Sequence, residues 1–325
     1  VQDTNLLVIG IDAACWPICQ REGFFLHHGQ ASRALAWPSS WKPGEHQPLT
    51  GPNWTNIYTG VLPEAHGVLP DPWIKGQTSY RDISRVTVFD LMSNYGTFLM
   101  PMTWGLEPPE DSWCVPGWIC PERSDVAVGV DLPTDFRFEA HPLGDNLRFE
   151  DYQKADYEER GLFFRYLRDI AYEQLTVFRN LPKKETMFLG VLYLDWVNHA
   201  CGNSKELSLL SAYDWLDKIL LDIIEDIKPK NLLICSDHGM SEKGGNHSAE
   251  GICVVRSDFK DNARFVAESN KDIAPFILEL AGVPLKDHLG KKATREKMSD
   301  TDQEELEKHI QQLAALGYID SKESE

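Results

Sequence analysis

Three apolar runs that end in aspartate constrain this chain more than any other feature of it. Leu6–Ile11 stops at Asp12, residues 187–194 stop at Asp195, and Asn231–Cys235 runs through Ser236 into Asp237-His238-Gly239. Short continuous apolar runs bounded by polar residues are the pattern of strands buried on both faces. Carboxylates at their ends point to one functional edge, because ligands of such sheets gather outside the carboxyl ends of the strands.

Helical spacing fills the intervals. Residues 156–180 and 205–227 repeat apolar residues on one face; in the second, Leu209, Leu210, Tyr213, Leu216, Leu220, Ile223 and Ile224 fall together. Shorter helices are predicted over 86–94, over 53–59 with Pro52 near the first turn, over Ile273–Ala281 before Gly282 and Pro284, and over 301–316. Further strands are predicted over 31–37, 97–102 and 252–255. This alternation predicts an α/β fold with a mainly parallel sheet. Residues 103–150, rich in Pro, Trp and Asp, read as a small irregular cap insertion. One main domain is expected over 1–290, with a C-terminal helix and acidic tail over 291–325.

Asp237 and His238 are adjacent, and neighbours on a regular strand face opposite ways, so they can share a metal only where the strand breaks. Gly239 is expected to supply that break, because glycine tolerates the angles of a sharp turn. His247 follows nine residues after His238. Asp195 and His199 are spaced i, i+4, which places both on one face of a helical turn. With Asp12 the set offers six oxygen and nitrogen ligands without cysteine, a chemistry suited to Zn²⁺, Mn²⁺ or iron. Six ligands are enough for two ions if one further group bridges them. The segment Pro48-Leu49-Thr50-Gly51-Pro52-Asn53-Trp54-Thr55-Asn56-Ile57-Tyr58-Thr59-Gly60 offers hydroxyls at Thr50, Thr55 and Thr59. Metal coordination activates such a hydroxyl as a nucleophile.

The 325 residues carry 32 basic and 50 acidic side chains, a net charge of −18. That charge excludes a surface built to coat nucleic acid, which needs Lys and Arg against phosphates. A small anionic substrate stays compatible if metal ions supply the local positive charge. No apolar run approaches the ~20 residues needed to span a membrane, and Leu6–Ile11 is too short for a signal peptide. Seven irregularly spaced cysteines lead to the expectation of a reduced, cytoplasmic chain. Oligomeric state leaves no sequence signal.

In order along the chain, Asp12, Thr50 with Asn53, Thr59-Gly60, His66-Gly67, Asp195 with His199, Asp237-His238 and His247 resemble the alkaline phosphatase superfamily, and within it the type I phosphodiesterase/nucleotide pyrophosphatase branch. The resemblance spans residues 6 to about 290 and implies a three-layer sandwich around the sheet. It implies Thr50 as nucleophile and Asn53 as the holder of a nonbridging phosphate oxygen. It implies one ion on Asp12, Thr50, Asp237 and His238, and a second on Asp195, His199 and His247. Two divalent ions, Zn²⁺ with Mn²⁺ as the alternative, would serve a two-step hydrolysis of a phosphodiester or pyrophosphate bond through a phospho-threonine. The partner implied is a small phosphoester, with a nucleotide as the candidate. Alternatives on the same site are a phosphomonoesterase or phosphonate hydrolase, or a metal-stabilised nucleotide-binding protein. The absence of Lys or Arg beside Thr50 disfavours a monoester dianion. His66 is expected to shape the turn before Gly67.

Overall fold

The computed structural model describes residues 3–37, 48–68, 79–117, 126–138, 157–201, 206–240, 247–259, 264–284 and 288–295. In chain order its elements are β1 (Leu6–Ile11), α1 (Trp16–Glu22), β2 (Gln30–Leu35), α2 (Thr50–Thr59), α3 (Pro63–His66), α4 (Val88–Leu91), β3 (Tyr95–Met100), β4 (Trp113–Pro116), α5 (Tyr157–Asn180), β5 (Thr186–Val191), α6 (Tyr193–Cys201), α7 (Glu206–Ile227), β6 (Asn231–Cys235), β7 (Gly239–Met240), β8 (His247–Ser248), β9 (Glu250–Arg256) and α8 (Ile273–Ala281). The predicted helix over 301–316 and the acidic tail lie outside the described residues.

Seven strands form one sheet in the order β2-β9-β6-β1-β5-β3-β4. β6, β1, β5, β3 and β4 pair in parallel, and β9 runs antiparallel to both β6 and β2. The sheet is therefore mixed and mostly parallel. Ile11 pairs with Val191 and Gly10 with Cys235, so β1, β5 and β6 end at one level. That common level delivers Asp12, Asp237 and the turn before Asp195 to the same edge.

Alternation along β1 divides the core in two. Leu7, Ile9 and Ile11 pack with α1, α5 and α7 through Cys19, Leu167, Ile170, Tyr213 and Leu220. Leu6 and Val8 pack on the opposite face with α2, α4 and α8 through Trp54, Tyr58, Phe89, Ile273 and Ile277. Helices on both faces make the expected three layers. Among the described residues, no helix is long and apolar enough to cross a membrane.

Three local expectations change. The run over 187–194 is not one strand: β5 ends at Val191 and α6 begins at Tyr193, so Asp195 sits in the first turn of a helix. A helix N-terminus favours a carboxylate there. The predicted helix over 86–94 shrinks to one turn, closed by a capping box between Thr87 and Asp90, because Ser93 and Asn94 favour a turn over a helix end. The segment read as irregular contains β4, a buried four-residue edge strand ending in proline. A strand that short has no alternation to read, and an edge is where proline is tolerated.

The body also continues past residue 290. Val86 N–H donates to Lys291 O at 2.8 Å and Ala293 N–H to Ser84 O at 2.9 Å. The Arg295 guanidinium lies 4.5 Å from the centre of the Tyr80 ring and pairs with Asp90.

Candidate metal centre

Asp12 leaves β1 with its N–H donating to Val191 O at 2.9 Å. A Cβ on Gly10 would come within 2.5 Å of the Trp54 ring, so glycine is what lets that indole lie against β1. From there Trp54 Nε1 donates to Asp12 Oδ2 at 3.3 Å.

After β6, Ser236 anchors the turn: its Oγ donates to Ala14 O at 2.9 Å and accepts from Ile252 N–H at 2.8 Å. The ladder has ended at Cys235, which frees Asp237 and His238 to face one site. Gly239 acts differently from expectation. It opens β7 without a left-handed φ, and it is required because a Cβ would meet Glu250 O at 2.4 Å. β7 and β8 pair as a short antiparallel ribbon, Met240 opposite His247. The ribbon carries His247 back beside His238 across only nine positions.

Two triads result. His238 Nδ1 lies 3.1 Å from Gly239 O, which sets it as the donor and leaves Nε2 for the site. That Nε2 stands 3.2 Å from Thr50 Oγ1, 3.3 Å from Asp237 Oδ2 and 3.5 Å from Asp12 Oδ1. In the second triad His199 Nε2 lies 3.3 Å from Asp195 Oδ1. His247 joins them, its Nδ1 donating to Pro48 O at 2.6 Å. The ligand atoms of each triad fall within 4.8 Å of one another. The His238 and His247 rings stack at 4.2 Å, and the His199 and His247 rings meet at 5.6 Å, so the triads abut.

Burial and crowding of like charge shape the electrostatics. Burial first, then Asp195, raises the Asp12 carboxyl well above its ordinary value, against hydrogen bonds from Trp54 and Thr50. Burial, then Asp12 and Asp195, does the same to Asp237. For Asp195 burial is outweighed by His199, His247 and His238, and its pKa falls. Burial and neighbouring imidazoles lower His238 and His247, whereas Asp195 raises His199 against burial.

These residues fit divalent metal. Asp12 Oδ1, Asp195 Oδ1 and both oxygens of Asp237 are buried without a hydrogen-bond partner. No Lys or Arg among the described residues pairs with the three carboxylates. Buried anions are costly unless a cation or donors compensate them. Two dications among three carboxylates and three imidazoles would supply that compensation; the donor set gives no choice between zinc and manganese.

Thr50 is the first residue of α2, whose ten residues are all buried. The first-turn N–H groups of a helix have no internal acceptor and face outward, and Pro52 in that turn forfeits no helical bond. Thr55 and Thr59 do not reach the site: their hydroxyls donate back to Gly51 O and Thr55 O at 2.8 and 2.7 Å.

Asn53, which the resemblance implies as a phosphate holder, lies in the first turn of α2. It is fully buried, and its Nδ2 donates to Leu49 O at 2.8 Å and to Trp37 O at 3.4 Å. Its Oδ1 accepts from Trp37 N–H and from Asn270 Nδ2, both at 2.7 Å. Both amide protons face main-chain carbonyls, which braces the chain around Thr50. Asn270 and Asn56 complete this network. Asn270 also donates to Asp237 O at 3.2 Å, and Asn56 Nδ2 donates to Asn270 Oδ1 at 3.2 Å. His66 takes the structural part expected of it: Val68 N–H donates to its Nδ1 at 3.1 Å, and its Nε2 donates to Asn56 Oδ1 at 3.0 Å. Burial pushes its pKa down to about 3. Trp37, Pro48, Asn56 and Asn270 act through amide and carbonyl contacts that leave no periodic or motif signal.

A family model described as type I phosphodiesterase / nucleotide pyrophosphatase matches residues 46–315. That span holds Thr50 and every residue of the second triad, while Asp12 precedes it. An uncharacterized pyrophosphatase/phosphodiesterase of Schizosaccharomyces pombe is 24% identical over 208 residues, 61% of this chain and 37% of that protein. The chain thus spans well under half the length of that curated relative. Among solved structures, murine ectonucleotide pyrophosphatase/phosphodiesterase 5 aligns over 90% of this chain and 98% of its own at 11% identity, with a TM-score of 0.45. An alkaline phosphatase from the Antarctic bacterium TAB5 aligns over 86% of this chain and 99% of its own at 12% identity, with a TM-score of 0.43.

Proposed function

The chain belongs to the type I phosphodiesterase/nucleotide pyrophosphatase family, and from that premise we propose that it hydrolyses phosphodiester or pyrophosphate bonds of a small nucleotide-like substrate through a covalent Thr50 ester. The observation that carries the reading is the placement of Thr50 Oγ1 3.2 Å from His238 Nε2, at the positively polarised end of α2 and beside two abutting ligand triads.

Asp12, Asp237 and His238 with Thr50 would hold one ion, and Asp195, His199 and His247 the other. When bound, such ions offset the carboxylates, favour the ionised hydroxyl and stabilise charge on the phosphoryl oxygens. Thr50 Oγ1 yields its proton to solvent and bonds to phosphorus as the bond to the leaving oxygen breaks. That oxygen leaves as an alkoxide or phosphate and takes a proton from water where its basicity requires one. The first-turn N–H groups of Thr50 and Gly51 are placed to receive phosphoryl oxygens. Water then attacks the same phosphorus, the Oγ1–P bond breaks, and Oγ1 recovers a proton. The Asn53–Asn270 network keeps Thr50 and Asp237 in register, so the chain's own share of the work is positioning and charge complementarity.

A diester suits this site better than a monoester. The polar contacts of Thr50 are to His238 and Asp12, and no Lys or Arg among the described residues joins them to meet a second phosphate charge. The catalytic domain then runs through Arg295 at least, given the contacts of residues 291–295. A reducing, cytoplasmic setting is part of the same proposal and rests on the seven irregularly spaced cysteines of the sequence.

The test is Thr50→Ala assayed on a bis-aryl phosphate and on a dinucleotide pyrophosphate, with circular dichroism to establish folding. Loss of turnover in a folded variant supports the mechanism; undiminished turnover ends it.

A further inference from the structure

Away from that centre, two consecutive histidines converge on one carboxylate. His28 Nε2 lies 3.1 Å from Asp217 Oδ1, and His27 Nδ1 lies 3.7 Å from Asp217 Oδ2. The three ligand atoms fall within 4.8 Å of one another, and none of these residues belongs to either triad. The histidines lie between α1 and β2. Gln30, the first residue of β2, pairs with Val255, itself opposite Leu233 of β6. The cluster therefore lies toward the amino end of β6, whereas Asp237 follows its carboxyl end.

The chain adopts an unusual path to present both imidazoles. Phe25 has a φ of 61°, in the left-handed region that bulky residues rarely occupy, and its N–H donates to Asp217 Oδ1 at 3.3 Å. The 3-10 turn Leu26–His28 follows, and the two imidazole centroids stand 4.0 Å apart. A hydrogen bond accounts for His28, whose side chain is 2% exposed. The His27 contact, at 3.7 Å, is longer than a hydrogen bond and leaves that ring more loosely held.

A shared ion accounts for both. Ligands about 2.1 Å from one ion stand roughly 3.0–3.4 Å apart in octahedral or tetrahedral geometry. The observed 3.1 Å separation falls within that range, and the 3.7 Å separation exceeds it by about 0.3 Å. His27 is half exposed and can rotate by the remaining few tenths of an ångström, and its open side admits water as a further ligand. Two imidazoles and one carboxylate suit a borderline first-row ion better than Ca²⁺ or Mg²⁺, which prefer all-oxygen sites.

We infer that His27, His28 and Asp217 form a further divalent-cation site, taking an ion such as Zn²⁺ or Co²⁺ and tying the α1–β2 connection to α7. Its role is that of a clamp, since it lies apart from Thr50 and closes a contact between two separate stretches of chain.

The test titrates the metal-stripped full chain with Co²⁺, followed by visible absorption and by calorimetry, beside His27→Ala and Asp217→Asn. His27→Ala removes an exposed group, and Asp217→Asn keeps an acceptor for Phe25 N–H, so both report on the ion rather than on folding. Wild type should take one more equivalent than either variant, or take it at least about tenfold more tightly, in the range set by lost ligand support. Equal stoichiometry and equal affinity in all three proteins would overturn the inference. The result is a difference between variants, so it stands apart from occupancy of the centre at Thr50.

Discussion

The imidazoles of His238 and His247 stack with centroids 4.2 Å apart and planes inclined by 20°. His238 belongs to the triad at Thr50 and His247 to the triad with Asp195 and His199, so this contact is the seam between two ligand sets. Each ring donates through Nδ1 to a main-chain carbonyl, Gly239 O and Pro48 O, which reserves Nε2 for the centre. A hydrogen bond at the far nitrogen fixes tautomer and orientation and raises ligand basicity.

His247→Ala should therefore remove one ion and leave the other. Metal analysis of the purified variant should find one equivalent fewer than in wild type. Diesterase turnover should fall by at least about 100-fold, the scale of losing one preorganised stabiliser of transition-state charge. Unchanged metal content would place His247 outside the centre.

Asp237→Asn should reveal the opposing demands of stability and function. Both Asp237 oxygens are buried without a partner, among two further carboxylates. In metal-stripped protein the substitution removes a carboxyl that burial and two neighbouring carboxylates disfavour in its charged form, and should raise stability by about 1–3 kcal/mol, while abolishing the gain that wild type shows on adding Zn²⁺. Thermal melts with and without metal measure both. A metal-free variant less stable than metal-free wild type contradicts the electrostatic account.

Asn53→Ala should act on stability first. The substitution leaves Trp37 N–H without its acceptor and removes one of the two bonds made by Leu49 O and by Asn270 Nδ2, at a cost of about 1–3 kcal/mol. Turnover should fall less than in Thr50→Ala, because Thr50 would be displaced rather than lost. A variant with native stability and a collapsed kcat would instead make Asn53 a direct phosphate ligand.

His66 predicts a pH dependence of folding. Its Nδ1 accepts from Val68 N–H and its Nε2 donates to Asn56 Oδ1, so both nitrogens are committed to the neutral ring. The folded pKa is about 3. An unfolded histidine takes its proton near 6.5. Between these values the unfolded chain binds more protons, so the His66 contribution is complete above about pH 6.5 and is lost as pH falls toward 3. Denaturant titrations from pH 6.5 to 5 should show stability declining by up to about 1.4 kcal/mol per pH unit from this group. His66→Gln should flatten that slope; an identical slope would show that other groups set it.

The parts of the centre legible in sequence were those marked by local pattern. Asp12 and Asp237 stand where apolar runs stop, and Asp195 with His199 keeps the i, i+4 spacing of a helical turn. The long helices α5 and α7 declared themselves by periodicity over several turns. What sequence missed was set by contacts between distant residues. Asn270 lies 217 positions from Asn53, yet the two amides share a hydrogen bond. An asparagine in the first turn of a helix looks alike whether it caps, braces or binds, and only the acceptors at Leu49 O and Trp37 O separate these roles. Gly239 was expected for its backbone freedom, but close approach of Glu250 O, from a strand yet to come in the chain, is the reason for it. β4 escaped notice because four residues ending in Pro116 carry too little alternation.

The central claim is that Thr50 Oγ1 becomes bonded to phosphorus during turnover. Metal-loaded protein should be mixed with a bis-aryl phosphate, quenched in acid within one turnover, digested and mapped by mass spectrometry. The account predicts an aryl phosphate ester on Thr50, absent from Thr50→Ala and decaying as product appears. Steady turnover with unmodified Thr50 at every quench time, or activity retained by Thr50→Ala, would contradict it.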